Sequence, residues 1–213
     1  MKTNTPGRWS PATRTARTAA AVGAALILAS LAACTGGSTP IVTETPSPTV
    51  TGNASPSLSP SPTPLTDAEL LALMPPEAAY ADVRGAIATA EFFTAQYAVM
   101  FQTGDSRVIA ALSDAKCQFC AEALASAADE VSAGAHESGG EVIGDVSQVR
   151  ANLHTGDGFT YVDFPYAQNA TTLIHGNGSS EPTGDGGTGR IYFRMGLEGA
   201  VWRVVGAEVQ SES

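Results

Sequence analysis

The chain is short of the side chains that most reaction chemistry requires. Among 213 residues there are only three cysteines, three histidines and eleven lysines and arginines. A zinc centre takes four ligands, and His136, His154 and His175 stand at no paired spacing with the thiols, so no metal site is expected. No serine, histidine and acid fall into a nucleophile motif, so no catalytic residue and no cofactor is assigned. The glycine-rich run 184–190 lacks both the Gly-Lys-Ser/Thr ending and the following helix of a phosphate loop, and reads as a mobile hairpin tip. Basic charge is scarcer still where a fold is expected. Lys2, Arg8, Arg14 and Arg17 all precede position 34, so residues 34–213 hold seven basic and twenty-one acidic side chains, a net of −14. Such a body offers no basic face to nucleic acid and no electrostatic hold on anionic lipid; its charge serves solubility. The apolar run at about 19–31 is too short, and wrongly flanked, for a helix that stays in a membrane.

With its flanks that run reads as an export signal, the alternatives being an ordinary N-terminal membrane anchor or a signal cut elsewhere. A basic start without acids leads into Ala, Val, Leu and Ile, then into Leu31-Ala32-Ala33-Cys34. Two small residues before a cysteine have the form of a bacterial lipoprotein cleavage site. The expectation is a signal peptide over 1–33. Cys34 would then be the lipidated residue, carrying diacylglycerol and palmitate, and would hold the protein on the outer side of the cell membrane. Residues 35–64 follow with seven of the thirteen prolines among Ser and Thr, and one charge, Glu44. That composition buries too little surface to offset the entropy of ordering. It reads as a disordered tether reaching roughly 90 Å at about 3.1 Å per residue. One domain's worth of chain remains, 65–213.

Within it, Thr66-Asp67-Ala68-Glu69 has the form of a capping box before a short helix ended by Pro75-Pro76. Val83, Ile87, Ala90, Phe93, Tyr97 and Met100 recur at spacings of three and four, which predicts a long helix over about 81–102 stopped by Gly104. A third helix presents Val108, Ile109 and Leu112. A fourth, over about 116–133, turns Cys120, Leu124, Ala127, Ala128 and Val131 inward and closes at Gly134. The Gly139-Gly140 pair marks a loop. Beyond Glu141 the pattern alternates: 141–153, 159–164, 170–175, 190–197 and 200–209 read as strands. Helices followed by strands make an α+β domain.

Cys117 and Cys120, outside the cytosol and three residues apart at a helix start, lie within bridging reach. They read as a fixed disulfide. A thioredoxin-like redox pair is the alternative, although that motif normally follows a strand. The runs Ala88-Thr89-Ala90-Glu91-Phe92-Phe93, Phe101-Gln102-Thr103-Gly104-Asp105 and Leu112-Ser113-Asp114, with Cys117-Gln118-Phe119-Cys120, resemble a family of actinobacterial lipoproteins built on a domain of unknown function. The element order resembles the nuclear transport factor 2-like cone, in which a long helix packs into a curved antiparallel sheet. That resemblance implies a location, a fold, a mouth between helix and sheet, and pairing into a homodimer; it implies no reaction. Tyr161 and Asp163, with Tyr192 and Arg194, are the candidate pocket residues; Phe159 shares the face of Tyr161 and Asp163, so the alternation leaves open whether that face lines the mouth or meets solvent. The expected function is a non-enzymatic binding or interaction module of the cell envelope, with a cell-envelope protein or a small ligand as partner. The alternatives are a small-molecule enzyme of isomerase or cyclase kind using that pocket, or a thiol–disulfide oxidoreductase.

Overall fold

A computed structural model describes residues 63–154 and 156–211. The expected signal peptide, Cys34 and nearly all of the tether lie outside the described residues.

Each helix begins and ends where local chemistry satisfies its backbone. Helix α1 (Asp67–Leu73) carries a complete capping box between Thr66 and Glu69. A single 3-10 turn, Pro76–Ala79, follows. Helix α2 (Val83–Thr103) is capped by the Asp82 carboxylate and ends at Gly104, whose left-handed backbone directs its N–H to Met100 O. Helix α3 (Arg107–Leu112) buries Ile109 and Leu112. Helix α4 (Gln118–Ser132) buries Cys120, Ala123, Ala127 and Glu130. The face expected for α4 is therefore rotated: Val131 is exposed, Ala128 is exposed and Leu124 half-buried. The cause is visible at its first turn, where the cysteine pair holds Cys120 inward. The small Ala123 and Ala127 follow on that side.

Eight antiparallel strands follow among the described residues: β1 (His136–Gly139), β2 (Val142–Gly144), β3 (Arg150–His154), β4 (Phe159–Gln168), β5 (Thr171–Ile174), β6 (Ser180–Gly184), β7 (Gly187–Glu198) and β8 (Val201–Ser211). They form a five-stranded sheet ordered β2-β4-β7-β8, with β3 also on β4, and a three-stranded sheet ordered β1-β5-β6. The two are one surface folded over a corner. Three consecutive strand pairs cross it with two residues between them: β1 to β2 at 140–141, β4 to β5 at 169–170 and β6 to β7 at 185–186. Pairing continues through the bend, since Gly140 N donates to Ala170 O and Asn169 N to Glu141 O at 3.0 Å each. The corner needs residues without a side chain. At Gly186, with φ of 75°, a Cβ would sit 2.5 Å from Gln168 O; at Gly139 it would sit 2.2 Å from Ala170 O. The glycine-rich run expected to be a loose hairpin tip is thus a strand, a tight corner and another strand. Between the stop at Gly134 and the pair Gly139-Gly140 expected to mark a loop, the chain forms β1, which takes in Gly139.

The expected strand over 141–153 is broken in two. Pro165 directs its carbonyl toward this edge and accepts from Asp145 N at 2.8 Å. Its missing N–H falls on the same side, so the edge bulges out as a 3-10 turn, Val146–Gln148, between β2 and β3.

Helix α2 lies along one face of the large sheet. Phe93 meets Phe193 edge-on, with ring centroids 5.8 Å apart, and Phe193 meets Phe164 at the same distance. Thr160, Val162, Phe164 and Tyr166 of β4, with Ile191, Phe193 and Met195 of β7, all point into this layer and are buried. The fold is α+β with helices packed on antiparallel strands, consistent with a cone-like arrangement.

Candidate functional site

Strand alternation settles where the candidate residues go. Because Thr160, Val162 and Phe164 face α2, Phe159, Tyr161 and Asp163 face the other way. On β7 the inward Ile191, Phe193 and Met195 likewise leave Arg190, Tyr192 and Arg194 on the outer face. The expected pocket residues Tyr161, Asp163, Tyr192 and Arg194 are therefore together, but on the open side of the sheet. Of the two placements open from sequence, a pocket at the mouth between helix and sheet or a solvent-facing rim, this is the second. Phe93 decides it: its ring packs on Phe193 between helix and sheet.

Register brings these side chains together on one polar face. Asp163 stands opposite Arg150 on β3 and Tyr192 on β7, while Tyr161 stands opposite Asn152 and Arg194. The next strand adds Glu208, opposite Tyr192. Arg150 Nε and Nη2 donate to Asp163 Oδ2 at 3.0 and 2.8 Å. Arg190, diagonal to Asp163, donates to the same oxygen through Nε and to Gln148 O through Nη2, the latter at 3.0 Å. One carboxylate thus joins two guanidinia across three strands. Tyr161 OH donates to Asp157 Oδ2 at 2.7 Å, and Asp157 is itself fixed by accepting from Phe159 N at 3.0 Å. Losing the phenolic proton would break that bond and set two negative charges together, so the Tyr161 pKa is raised above the ordinary tyrosine value. This phenol is a poor proton donor to a substrate and a good fixed ring. Arg194 lies over the Phe159 ring, 4.9 Å from its centroid.

Arg150, Arg190 and Asp157 complete this network and were not singled out from sequence. For the arginines the missing signal was register: the break in the edge strand hides that Arg150 stands opposite Asp163, and Arg190 reaches it only across a diagonal of the β4–β7 pair. Asp157 was legible in principle, as an Asp two residues before the first amide of a strand.

The cysteines form a separate feature. Cys117 and Cys120 are joined by a disulfide, Sγ–Sγ 2.06 Å and Cα–Cα 5.2 Å. Cys117 is also the N-cap of α4, its Sγ accepting from Cys120 N at 3.2 Å. Both residues are 1% exposed. Exchange chemistry needs an accessible sulfur, so the geometry favours a clamp on the helix start. His175 lies just beyond β5 with Nε2 3.5 Å from Glu181 Oε1, both near solvent. Among the described residues no three His, Cys, Asp or Glu gather as a metal site would require. No described helix is long and apolar enough to cross a membrane.

Comparison with known proteins gives a family and a number of structural likenesses, among them the following. No curated protein sequence matches. The intermembrane space region of the chloroplast protein ARC6 is similar at 11% identity and a TM-score of 0.45, over 62% of this chain and 99% of that one. Aln2 from a Streptomyces species is similar at 14% identity and a TM-score of 0.37, over 60% of this chain and 91% of that one. Residues 73–208, most of the helices and strands described above, match the family of unknown function DUF6318, and the chain belongs to that family.

Proposed function

We propose that this protein is an extracytoplasmic lipoprotein of a bacterial, specifically actinobacterial, cell envelope, and that its domain is a binding or interaction module without a reaction of its own. Cys34 carries the lipid, residues 35–64 are the tether, and residues 65–213 present the module. Leu31-Ala32-Ala33-Cys34 supports the anchor. A buried disulfide supports an oxidising compartment. The observation that carries the binding reading is the outer sheet face. There Asp163 is held by Arg150 and Arg190, and Tyr161 by Asp157, on an open surface, and these groups do not converge on an enclosed space. Enzymes need reactive groups brought to bear on a desolvated substrate; Asp163, engaged by two arginines on an open face, is not so arranged. The partner reached through this face is an envelope component, a small ligand or a second copy.

The test fractionates cells expressing the full chain. The expected result is membrane association with mass spectrometry showing an acylated N-terminal Cys34, and release of Cys34→Ser into the soluble fraction or retention with its signal uncleaved. Membrane association of an unacylated chain that still carries Met1 refutes the anchor. For the module, Tyr161→Ala and Arg194→Ala are expected to lose an envelope partner captured by cross-linking on wild type. Capture unaffected by both substitutions refutes this face as the site.

A further inference from the structure

We propose that the open face of the large sheet takes a neutral glycan, with sugar rings on Tyr161 and Tyr192 and sugar hydroxyls bonding the arginine–carboxylate groups between them. This rests on the reading of the domain as a binding module and names the chemistry of its partner.

Charge comes first. Residues 34–213 carry a net of −14, yet this face is balanced: Arg150, Arg190 and Arg194 stand with Asp157, Asp163 and Glu208. An anionic polymer gains nothing from a neutral patch and is repelled by the body around it. A cation finds Asp163 and Asp157 already bonded to Arg150, Arg190 and Tyr161. The complement of a neutral patch rich in paired donors and acceptors is a neutral ligand rich in both.

The rings come second. Tyr161 and Tyr192 are diagonal neighbours on adjacent strands, about 7–8 Å apart by sheet geometry. Tyr161 is 38% exposed, and its hydroxyl is tied to Asp157, which fixes the ring before any ligand arrives. A pyranose presents C–H groups on its face and hydroxyls around its edge, which suits a ring flanked by planar polar groups. Arg150 is 65% exposed at its side chain and spends one edge of its guanidinium on Asp163, leaving the other edge to donate.

Wetness separates this ligand from a protein. A protein partner would bury Asp163 and its arginines under a dry interface centre, at the cost of stripping their water. Sugar hydroxyls both donate and accept, so a glycan joins such a network while leaving it hydrated.

The experiment titrates the full chain, in detergent micelles, with cellohexaose, xylohexaose and mannohexaose, and with polygalacturonate as the anionic probe, by calorimetry. At least one neutral hexasaccharide is expected to bind, and Tyr161→Ala and Tyr192→Ala each to weaken it about tenfold or more. Tyr161→Ala is expected to leave the thermal midpoint within about 2 °C of wild type, because its ring is exposed. Binding of polygalacturonate alone, equal sugar binding by the variants, or binding of none of the four probes overturns the proposal. A cross-linked protein partner or a dimer that is lost in Tyr161→Ala, without sugar binding, overturns the glycan and keeps the module. Loss of neither partner nor sugar overturns both.

Discussion

At the scale of single residues, the tightest constraint is at Gly85, where α2 passes the loop before it. Trp202 Nε1 donates to Tyr80 O at 2.8 Å, tying β8 to that loop. A Cβ on Gly85 would lie 2.0 Å from Tyr80 O and 2.6 Å from Trp202 Nε1. In an ordinary helix interior Gly→Ala stabilises by about 1 kcal/mol; here the close approach reverses the sign. Gly85→Ala is expected to destabilise by about 2–3 kcal/mol, read from the urea midpoint. A raised midpoint would mean that the two backbones can part. Carboxylates at helix starts supply a second residue-scale effect. Glu69 is held below the usual carboxylate range by the Thr66 N–H, and Asp82 by the Arg84 guanidinium beside it. Folded values below unfolded ones mean stability that is fully present above the ordinary carboxylate range and lost as pH falls through the lowered values. Asp105, beside Arg107, and Glu141, bonded by Asn169, act in the same direction. The unfolding midpoint is therefore expected to be flat above about pH 5 and to fall below it. Asp82→Asn should fall less steeply, by a small and salt-sensitive margin because the pair is exposed.

At the scale of elements, the corner of the sheet and the start of α4 carry the most specific demands. Gly186→Ala places a side chain at φ of 75° and 2.5 Å from Gln168 O. It is expected to cost about 1–3 kcal/mol and to raise amide exchange at the junctions of β4 with β5 and β6 with β7, while α2 stays protected. Replacing both Cys117 and Cys120 by Ala removes a bridge that closes a very short loop, and the chain-entropy estimate for so short a loop is about 2 kcal/mol. Because both cysteines are 1% exposed, the folded protein is expected to resist mild reductant, with free thiols appearing only after urea unfolding. These two elements also show how far the sequence could be read. The capping box at Thr66, the stripe of α2 and its stop at Gly104 were legible because each is a local rule with a local cause. The short, polar β1 and β6 were not, since their pairing is imposed by β5 and the corner glycines and nothing in Ser180-Glu181-Pro182 asks for a strand. Nor was the choice of face on β4. Phe159/Tyr161/Asp163 and Thr160/Val162/Phe164 carry similar apolar content, and only the packing of Phe93 on Phe193 and of Phe193 on Phe164 separates them. The candidate residues were thus legible as a set, while the side of the sheet they occupy was not.

At the scale of the whole molecule, charge sets the balance. Of the seven basic residues in 34–213, Arg84, Arg107, Arg150, Arg190 and Arg203 each already pair with a carboxylate. The acids far outnumber these cations, so the net of −14 over residues 34–213 acts as self-repulsion on the compact state. Salt screens both contributions. Exposed pairs such as Arg84–Asp82 and Arg107–Asp105 contribute little, and added salt weakens them. The repulsion is spread over the whole surface at separations beyond a Debye length of about 8 Å at 0.15 M, which is where screening is most complete. Relief of repulsion should therefore exceed loss of pairing. The thermal midpoint at pH 7 is expected to rise as NaCl increases from about 0.01 M to about 0.15 M, with most of the gain made below the upper value. A midpoint that falls over that range would show that the paired arginines outweigh the surplus of acids. In that case the outer-face network, where Arg150 and Arg190 share Asp163, would be the first place to look for the lost stability, and a shallower fall in Arg150→Ala would locate it there.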